Sequence, residues 1–336
     1  MQYFFKAQIA TLMCLLLIGL APHFTVDAKT DSPITIAHRG ASGYLPEHTL
    51  AAAVLAYNQG ADYIEQDLVM TKDDHLIVLH DVHLDTTTNV KEIFPQRARE
   101  DGRYYAIDFT LQEIRALSVH ERRDIAGKVV YPTRYSGNAS FKVATFREHI
   151  EVITTLNRIH QRTVGLYPEI KAPAWHRQQG KDIAAATLTM LREYGLDNPS
   201  AKVFLQCFDF DETKRLRNQL GAKVKLVQLI GENDWQESAT DYDYLKTAEG
   251  LTEVAKVAQG IGPWYAQLID LATMLPTGLV ENAHQHGLVV HPYTFRADQL
   301  PYELSAQQTL HVLFEQLAVD GLFTDHTDVV VNFLTP

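Results

Sequence analysis

The chain has 336 residues, of which 46% are hydrophobic and 21% are charged, an ordinary globular composition that suits one large domain or two small ones. Its formal net charge of −11 argues against nucleic acid or an anionic membrane surface as a partner, because both favour basic patches. A small-molecule partner is compatible with that charge.

Residues 1–28 are predicted to be a secretory signal peptide. After a positive start, an apolar run covers 7–21, and Val-Asp-Ala at 26–28 has the small-residue pattern of a cleavage site. The run is too short to span a hydrocarbon core of about 30 Å. We therefore expect an exported, periplasmic protein that begins at Lys29 and is not inserted in the membrane. Its single cysteine, Cys207, cannot form an internal disulfide.

Short β-rich runs alternate with helical stretches through the rest of the chain. The predicted strands are 34–38, 63–70, 76–80, 164–170, 203–208, 224–230, 261–265, 288–294 and 321–324. The clearest predicted helices are 49–59, 181–194 and 211–220. Alternation of buried strand and amphipathic helix is typical of an α/β fold with a parallel sheet.

Nine predicted strands are one too many for an eightfold barrel, and the linker between the second and the third explains the surplus. Only 71–75 separates them, whereas a parallel crossover needs about a dozen residues or more. We therefore predict an antiparallel hairpin. With its turn centred on 72–73, Glu65 would lie opposite His80 and Asp67 opposite Val78.

The polar stretch of about 82–163 lacks the alternation of strand and helix. We interpret it as an insertion that caps one end of the barrel, not as an independent domain. The expected organisation is a signal peptide, 1–28, followed by a single barrel domain, 29–336.

Charged or titratable groups follow each predicted strand that could reach the carboxyl end of the barrel, where active sites of parallel barrels form. They are His38 and Arg39 after the first strand, Glu65 and Asp67 on the second, His80 and Asp81 after the third, and Glu169 and Lys171 on the fourth.

Glu65, Asp67 and Glu169 are the predicted metal ligands. Carboxylates without thiolates suit a hard divalent cation, Ca²⁺ or Mg²⁺, and zinc is an alternative because His80 lies close enough to bind it. The Glu-x-Asp pair lies in an otherwise apolar run, 64–70, where unpaired charges would be costly to bury.

His38 and His80 are predicted to supply acid–base chemistry, because an imidazole titrates near neutral pH and can take one proton and give another. Either could be the base. Arg39 and Lys171 would add fixed positive charge for an anionic, oxygen-rich substrate. A metal beside two histidines and two cations describes phosphoryl transfer better than carbonyl or glycosidic chemistry.

In order and spacing, these motifs resemble the glycerophosphodiester phosphodiesterase family, specifically its bacterial periplasmic branch. The resemblance covers nearly the whole chain after residue 28. The matching motifs are His38-Arg39-Gly40, Pro46-Glu47-His48-Thr49, Glu65-Gln66-Asp67, Thr71-Lys72-Asp73, His80-Asp81, Glu169-Ile170-Lys171, Gln206-Cys207-Phe208 and Phe323-Thr324-Asp325.

The resemblance implies a distorted (β/α)8 TIM barrel of the phosphatidylinositol-phospholipase-C type, with a small insertion after the His-Asp strand. It implies metal-dependent hydrolysis of glycerophosphodiesters to sn-glycerol 3-phosphate and an alcohol. The two histidines would be acid and base, the three carboxylates would hold the cation, usually calcium in this branch, and Arg39 and Lys171 would contact phosphate. A glycerol hydroxyl would be the internal nucleophile, which avoids the entropy cost of a second molecule.

The sequence departs from the family pattern at two places, and the second bears on substrate preference. His48 stands where many members carry asparagine, and we expect it to hydrogen bond near the start of the first helix, which Thr49 would cap. The tryptophan that many members carry near the end of the penultimate strand is absent from 291–295. The candidate pocket-lining aromatic residues are Tyr44, Trp264, Tyr293 and Phe295.

Two other functions fit parts of the pattern. A lysophospholipase D-type phosphodiesterase would use the same barrel, but the sequence has no obvious Lys-rich amphipathic helix for docking on a membrane. A catalytically silent binding protein at the surface or in the periplasm would not need two histidines beside a metal. The oligomeric state stays open between monomer and homodimer.

Overall fold

The structure is a computed structural model that describes residues 32–270, 275–300 and 304–335. The predicted signal peptide, 1–28, lies outside these ranges. The described residues from Pro33 onward pack into one unit. No helix in the described ranges is long and apolar enough to cross a membrane.

A parallel sheet of eight strands forms the centre of this unit. The strands of the described ranges are β1 Ile34–Ala37, β2 Tyr63–Met70, β3 Leu76–Val78, β4 Gly165–Ile170, β5 Phe204–Cys207, β6 Lys225–Ile230, β7 Gly260–Pro263, β8 Ile269–Asp270, β9 Leu275–Pro276, β10 Val289–Val290 and β11 Gly321–Thr324. The parallel order is β10-β7-β6-β5-β4-β2-β1-β11, and β3 pairs with β2 in the antiparallel direction. β8 and β9 form a separate antiparallel pair.

The sheet is nearly closed into a barrel between β10 and β11. The backbone N–H of Phe323 donates to the carbonyl of Pro292 (3.0 Å), and that of Phe295 donates to the carbonyl of Phe323 (2.8 Å). These bonds lie beyond the two regular residues of β10, so the closure is irregular. The predicted distorted (β/α)8 barrel is confirmed.

Helices surround the barrel. The α-helices are α1 Leu50–Asn58, α2 Val90–Ile93, α3 Leu111–Ala116, α4 Phe146–His160, α5 Pro173–Gln178, α6 Ile183–Glu193, α7 Phe210–Asn218, α8 Tyr242–Leu245, α9 Ala248–Ala255, α10 Leu279–Gln285, α11 Ala306–His311 and α12 Thr327–Leu334. Many start at a side-chain cap: Thr49 accepts the N–H of Ala52 in α1, as predicted, and Thr145 and Glu148 form a reciprocal capping box in α4.

The β2–β3 hairpin forms as predicted, but its register differs by one residue. Leu68 lies opposite Val78 and Met70 opposite Leu76. The predicted pairing of Asp67 with Val78 is therefore wrong. The turn is symmetric about Asp73, because the N–H of Thr71 donates to the carbonyl of His75 across a five-residue loop.

The stretch interpreted as an insertion, about 82–163, begins with short elements and ends with a long helix. Before α4 it holds α2, α3, a short 3₁₀ helix (106–108) and isolated bridges. Its apolar side chains, including Phe109 and Leu117, form a separate cluster with Val69 and Ile77 of the hairpin. α4 itself packs against α1 and β3. The hairpin is therefore the base on which this segment folds.

Candidate active site

A cavity of about 300 Å³ lies at the carboxyl end of the barrel. All seven residues predicted from the sequence line it: His38, Arg39, Glu65, Asp67, His80, Glu169 and Lys171. The structure thus brings together residues from β2, β4 and the segments that follow β1 and β3.

The alternation of side chains along each strand explains why these residues converge. An apolar layer in the barrel interior consists of Ile36, Tyr63, Tyr167, Phe204, Val227 and Phe323. Successive side chains of a strand point to opposite faces, so the residue two positions further along returns to the interior. For five of the six residues in this layer, the residue two positions later is polar. These polar residues are His38, Glu65, Glu169, Gln206 and Asp325.

The three predicted metal ligands form a compact, buried acidic group. One carboxylate oxygen from each of Glu65, Asp67 and Glu169 lies within 4.8 Å of the others. Glu65 accepts hydrogen bonds from Gln206 Nε2 (2.8 Å) and from the backbone N–H of Arg39 (3.0 Å). Asp67 Oδ1 is buried without a hydrogen-bond partner among the described residues. An all-oxygen set with an unsatisfied carboxylate oxygen fits a hard divalent cation. His80 is not part of this group within the described ranges, so the zinc alternative gains no support.

The electrostatics of this acidic group also fit a cation. Burial and the neighbouring carboxylates of Asp67 and Glu169 raise the pKa of Glu65 well above its usual range. Burial likewise raises the pKa of Glu169 to about 8, although Lys171 opposes the shift. Buried like charges disfavour the ionised form, and a divalent cation among them would offset that repulsion.

Each histidine is held by a carboxylate through Nδ1. His38 Nδ1 lies 2.5 Å from Asp325 Oδ1, and His80 Nδ1 lies 2.6 Å from Asp81 Oδ1. A carboxylate only accepts, so in each case Nδ1 carries the proton and Nε2 is the free acceptor. His38 Nε2 lies 3.8 Å from a Glu65 oxygen, beside the acidic group.

Both histidines are neutral at pH 7. Burial, followed by the positive charge of Arg39, lowers the pKa of His38 to about 4. Burial in the cavity wall, Arg39 and Lys171 lower the pKa of His80 to about 3. Each imidazole therefore presents an unprotonated Nε2 to the cavity.

The two predicted phosphate contacts also lie in the cavity wall, where Lys171 is buried and Arg39 is partly buried. Lys171 Nζ lies 2.8 Å from a Glu169 oxygen, and Arg39 Nη1 donates to Glu47 (3.1 Å). Burial lowers the pKa of Lys171, but Glu169 and Asp67 outweigh that effect and raise it, so the ammonium stays charged. Arg39 has a φ of 60°, a conformation that non-glycine residues rarely adopt and that concentrates at functional sites.

Comparison with known proteins decides the family. Residues 38–329 match the glycerophosphoryl diester phosphodiesterase family. A glycerophosphodiester phosphodiesterase from Haemophilus influenzae is 43% identical over 345 residues, which is 95% of each chain, and one from Treponema pallidum is 36% identical over 89% of this chain and 91% of its own. The chain belongs to the glycerophosphoryl diester phosphodiesterase family. The predicted family and enzyme class are confirmed.

A solved structure shows the same fold. An Oleispira antarctica phosphodiesterase in complex with the product sn-glycerol-3-phosphate matches with a TM-score of 0.61 at 18% identity. The match covers 91% of this chain and 98% of that one.

Sequence reasoning missed several polar residues of this phosphodiesterase. Gln206 and Asp325 stand within recognised motifs, and their place two residues after an apolar position was the available signal. Asp81 was named after the third strand, but its role as the partner of His80 was not predicted. Arg122 and Arg134 come from the irregular segment before α4, which offers no periodic pattern.

His48 has a different partner from the one expected. Its Nε2 donates to Asp67 Oδ2 at 2.7 Å, so it holds a candidate metal ligand and does not bond at the helix start. Burial raises the pKa of Asp67, but His48 and Lys171 outweigh burial and hold that pKa well below its usual range.

One wall of the cavity is aromatic. Trp264 and Tyr293 line it as predicted, together with Phe208 and Trp235, which were not predicted. The other two candidates lie elsewhere. The Tyr44 hydroxyl donates to Asp328 at 2.6 Å, and Phe295 is buried in the main apolar core.

Proposed function

We propose that this chain hydrolyses glycerophosphodiesters to sn-glycerol 3-phosphate and an alcohol, with a divalent cation held by Glu65, Asp67 and Glu169. The observation that carries the proposal is the convergence of two carboxylate-held histidines with three carboxylates and two cations in one cavity. The product bound to the Oleispira antarctica phosphodiesterase supports the choice of product.

Arg39 and Lys171 would bind the phosphate. Lys171 is buried, Arg39 is partly buried, both are positively charged, and both are already paired with carboxylates. A phosphodiester in the cavity would receive hydrogen bonds from these two side chains, and burial strengthens such charge-assisted bonds.

His38 and His80 would move the protons. The negative charge of the bound substrate raises both pKa values, so one imidazole becomes protonated and serves as the acid while the other stays neutral as the base. A glycerol hydroxyl of the substrate attacks phosphorus and gives its proton to the base. The P–O bond to the alcohol breaks, and the alcohol takes a proton from the acid. Water then opens the cyclic phosphate with the two roles reversed, which yields sn-glycerol 3-phosphate.

A bound divalent cation would neutralise phosphate charge and lower the pKa of the attacking hydroxyl. Calcium is our choice because carboxylate oxygens in an irregular arrangement suit it, and magnesium is the alternative. The orphaned oxygen of Asp67 and the raised pKa values of Glu65 and Glu169 support a cation at this place.

The proposed location of the enzyme is the periplasm. The support is the apolar run of 7–21 and the cleavage pattern at 26–28. N-terminal sequencing of the protein from the periplasmic fraction should read from Lys29. Full-length protein in the cytoplasmic fraction would contradict export.

The test of the activity is release of sn-glycerol 3-phosphate from glycerophosphocholine by protein that starts at Lys29. We expect turnover with added Ca²⁺ and its loss in excess chelator, and Mg²⁺ in place of Ca²⁺ distinguishes the two metals. Glycerophosphoethanolamine and glycerophosphoglycerol then give the head-group preference. Turnover of lysophosphatidylcholine alone would favour the lysophospholipase D-type alternative, and metal binding without any turnover would favour a binding protein.

A further inference from the structure

We propose that Arg122 and Arg134 are positioning residues that hold His80 and His38, respectively, through the carboxylates that these histidines contact. Both arginines come from the segment between β3 and α4, so this segment completes the active site. The inference rests on the proposed acid–base role of the two histidines.

Arg122 connects the His80 side of the cavity to the segment after β1. Its Nη1 donates to Asp81 Oδ2 at 2.7 Å, while Asp81 Oδ1 accepts from His80. Its Nε and Nη2 donate to the two oxygens of Glu47 at 2.8 and 2.6 Å. Glu47 also accepts from Arg39, so one guanidinium supports a histidine and a predicted phosphate contact.

Arg134 repeats the same arrangement on the His38 side. Its Nη2 donates to Asp325 Oδ2 at 2.7 Å, while Asp325 Oδ1 accepts from His38. Its Nε and Nη2 also donate to the two oxygens of Asp298 at 2.9 and 3.1 Å. In both cases two guanidinium nitrogens bind a framework carboxylate, and one nitrogen binds the carboxylate behind a histidine.

This arrangement fixes the orientation of each imidazole. A carboxylate that is bonded on one oxygen only can rotate, and its histidine can then change ring orientation or tautomer. On the second oxygen of Asp81, Oδ2, Arg122 acts beside Thr86, which donates to it at 2.8 Å. On the second oxygen of Asp325, Oδ2, Arg134 acts beside Arg296, which donates to it at 3.0 Å. Each of the two arginines restricts the carboxylate further, because its planar guanidinium is itself held by a framework carboxylate. Partners of this kind, one step removed from the reacting groups, are typically worth about tenfold to a hundredfold in metal affinity or activity.

Other arginines of the same segment have partners away from the cavity. Arg97 pairs with Glu113, Arg99 with Asp108 and Arg103 with Asp85, all within the segment. Arg123, next to Arg122, is exposed and donates to the carbonyl of Gly127. These arginines bind groups of their own segment. Arg122 and Arg134 differ from them, because they contact the carboxylates that hold the two histidines.

The first test needs no activity. In ¹⁵N-histidine spectra of the whole protein, we expect wild-type His38 and His80 to carry the proton on Nδ1. Arg122→Gln should disturb the ring signals of His80 and leave those of His38, and Arg134→Gln should do the reverse. Each variant is thus the control for the other. Wild-type rings that carry the proton on Nε2, or variants that leave both ring signals unchanged, would overturn the proposal.

The second test is kinetic. Arg134→Gln should lower kcat on glycerophosphocholine about tenfold to a hundredfold with little change in KM. Arg122→Gln should lower kcat similarly and also raise KM, because Glu47 positions Arg39. Arg123→Gln is the matched control and should behave as wild type. Low-millimolar guanidinium should restore part of the activity of Arg134→Ala.

A folded Arg134→Gln protein with wild-type kcat, or absence of rescue by guanidinium, would contradict the positioning role. If the Gln variants do not fold, Arg122→Lys and Arg134→Lys replace them. Lysine keeps the positive charge but cannot bridge two carboxylates. Each Lys variant should therefore still lose activity, and its histidine should no longer carry the proton only on Nδ1. Absence of turnover by the wild type would overturn the proposed function, and the ring spectra would still decide the positioning role.

Discussion

Charged residues of the cavity are buried in mutual contact, and their neighbours set their protonation. Glu65 is 3% exposed, Asp67 1% and Lys171 7%, so each depends on its neighbours for the interactions that water would provide. The same burial, with Arg39 nearby, keeps His38 and His80 neutral. The acid–base role proposed for these histidines would therefore depend on the charge that a substrate brings.

The histidines should be essential for turnover and dispensable for metal binding. His38→Ala and His80→Ala should each lower kcat by about 10²- to 10⁴-fold, because general acid–base groups contribute that much. Calcium affinity measured by calorimetry should remain close to wild type. His75→Ala, at an exposed histidine of the hairpin turn, is the control. More than a few per cent of wild-type activity in either site variant would refute the acid–base assignment.

Glu121 should make stability depend on pH. This carboxyl is 8% exposed, one of its oxygens has no hydrogen-bond partner in the described part of the chain, and burial raises its pKa from 4.5 to about 7. Between those values the folded protein binds the proton that the unfolded chain has lost, so stability falls as pH rises from about 4.5 to about 7.

Glu121→Gln removes that charge. The variant should match the wild type at about pH 4, below both pKa values, and be more stable at about pH 8, by on the order of 1–3 kcal/mol. Urea denaturation at the two pH values measures the difference, and Glu100→Gln, at an exposed carboxylate of the same segment, is the control. Equal stability of variant and wild type at pH 8 would refute the assignment.

At the scale of elements, the strands place the site residues. On the interior face of a strand, an apolar residue is followed two positions later by a polar residue at the carboxyl end. Tyr63 and Glu65 of β2, and Tyr167 and Glu169 of β4, illustrate the pattern. The helices fix where the intervening segments begin and end. α4 matters most for the segment that carries Arg122, because α4 packs on β3 and ends that segment.

The capping box of α4 should contribute measurably to stability. Thr145 accepts the N–H of Glu148, and the Glu148 side chain accepts the N–H of Thr145. Thr145→Ala should lower the free energy of unfolding by about 1 kcal/mol. Thr155→Ala changes an exposed position within the same helix and should have little effect. Urea denaturation with an unchanged m-value measures both, and equal effects of the two substitutions would count against the cap.

At the scale of the whole molecule, the site joins parts of the chain that are far apart in sequence. His38 and Asp325 are separated by 287 positions, and Gln206 and Glu65 by 141. A ligand that bridges β2 and β4 at this place binds the folded chain and not the unfolded one, so its binding free energy adds to the stability of the whole barrel.

Removal of divalent cations should therefore lower Tm. At a calcium concentration of 100 Kd, the added stability is about 2.7 kcal/mol. Differential scanning calorimetry with calcium and with chelator measures it. Glu169→Gln should lose most of the calcium-dependent increment, whereas Asp211→Asn, at an exposed acid on α7, should keep it. An increment of the same size in Glu169→Gln would rule out Glu169 as a ligand.

The sequence by itself determined the nine strands of the main sheet, the parallel barrel and the seven cavity residues, but not the short β8–β9 pair. This information is local: the alternation of apolar and polar residues places Glu65 and Asp67 on one face of β2, and parallel strands bring their carboxyl ends together. The predicted bounds of β2, 63–70, and of β11, 321–324, are those of the structure.

The tertiary structure alone decided the partners of these residues. The hairpin register depended on a five-residue turn whose centre no local pattern specifies, and His48 reached Asp67 and not the start of α1. Arg122 and Arg134 lie in a segment without period, so only its packing on the hairpin brings them to Asp81 and Asp325. Periodicity reports which face of an element a side chain occupies, whereas the partner of a buried charge is set by the folding of distant segments against one another.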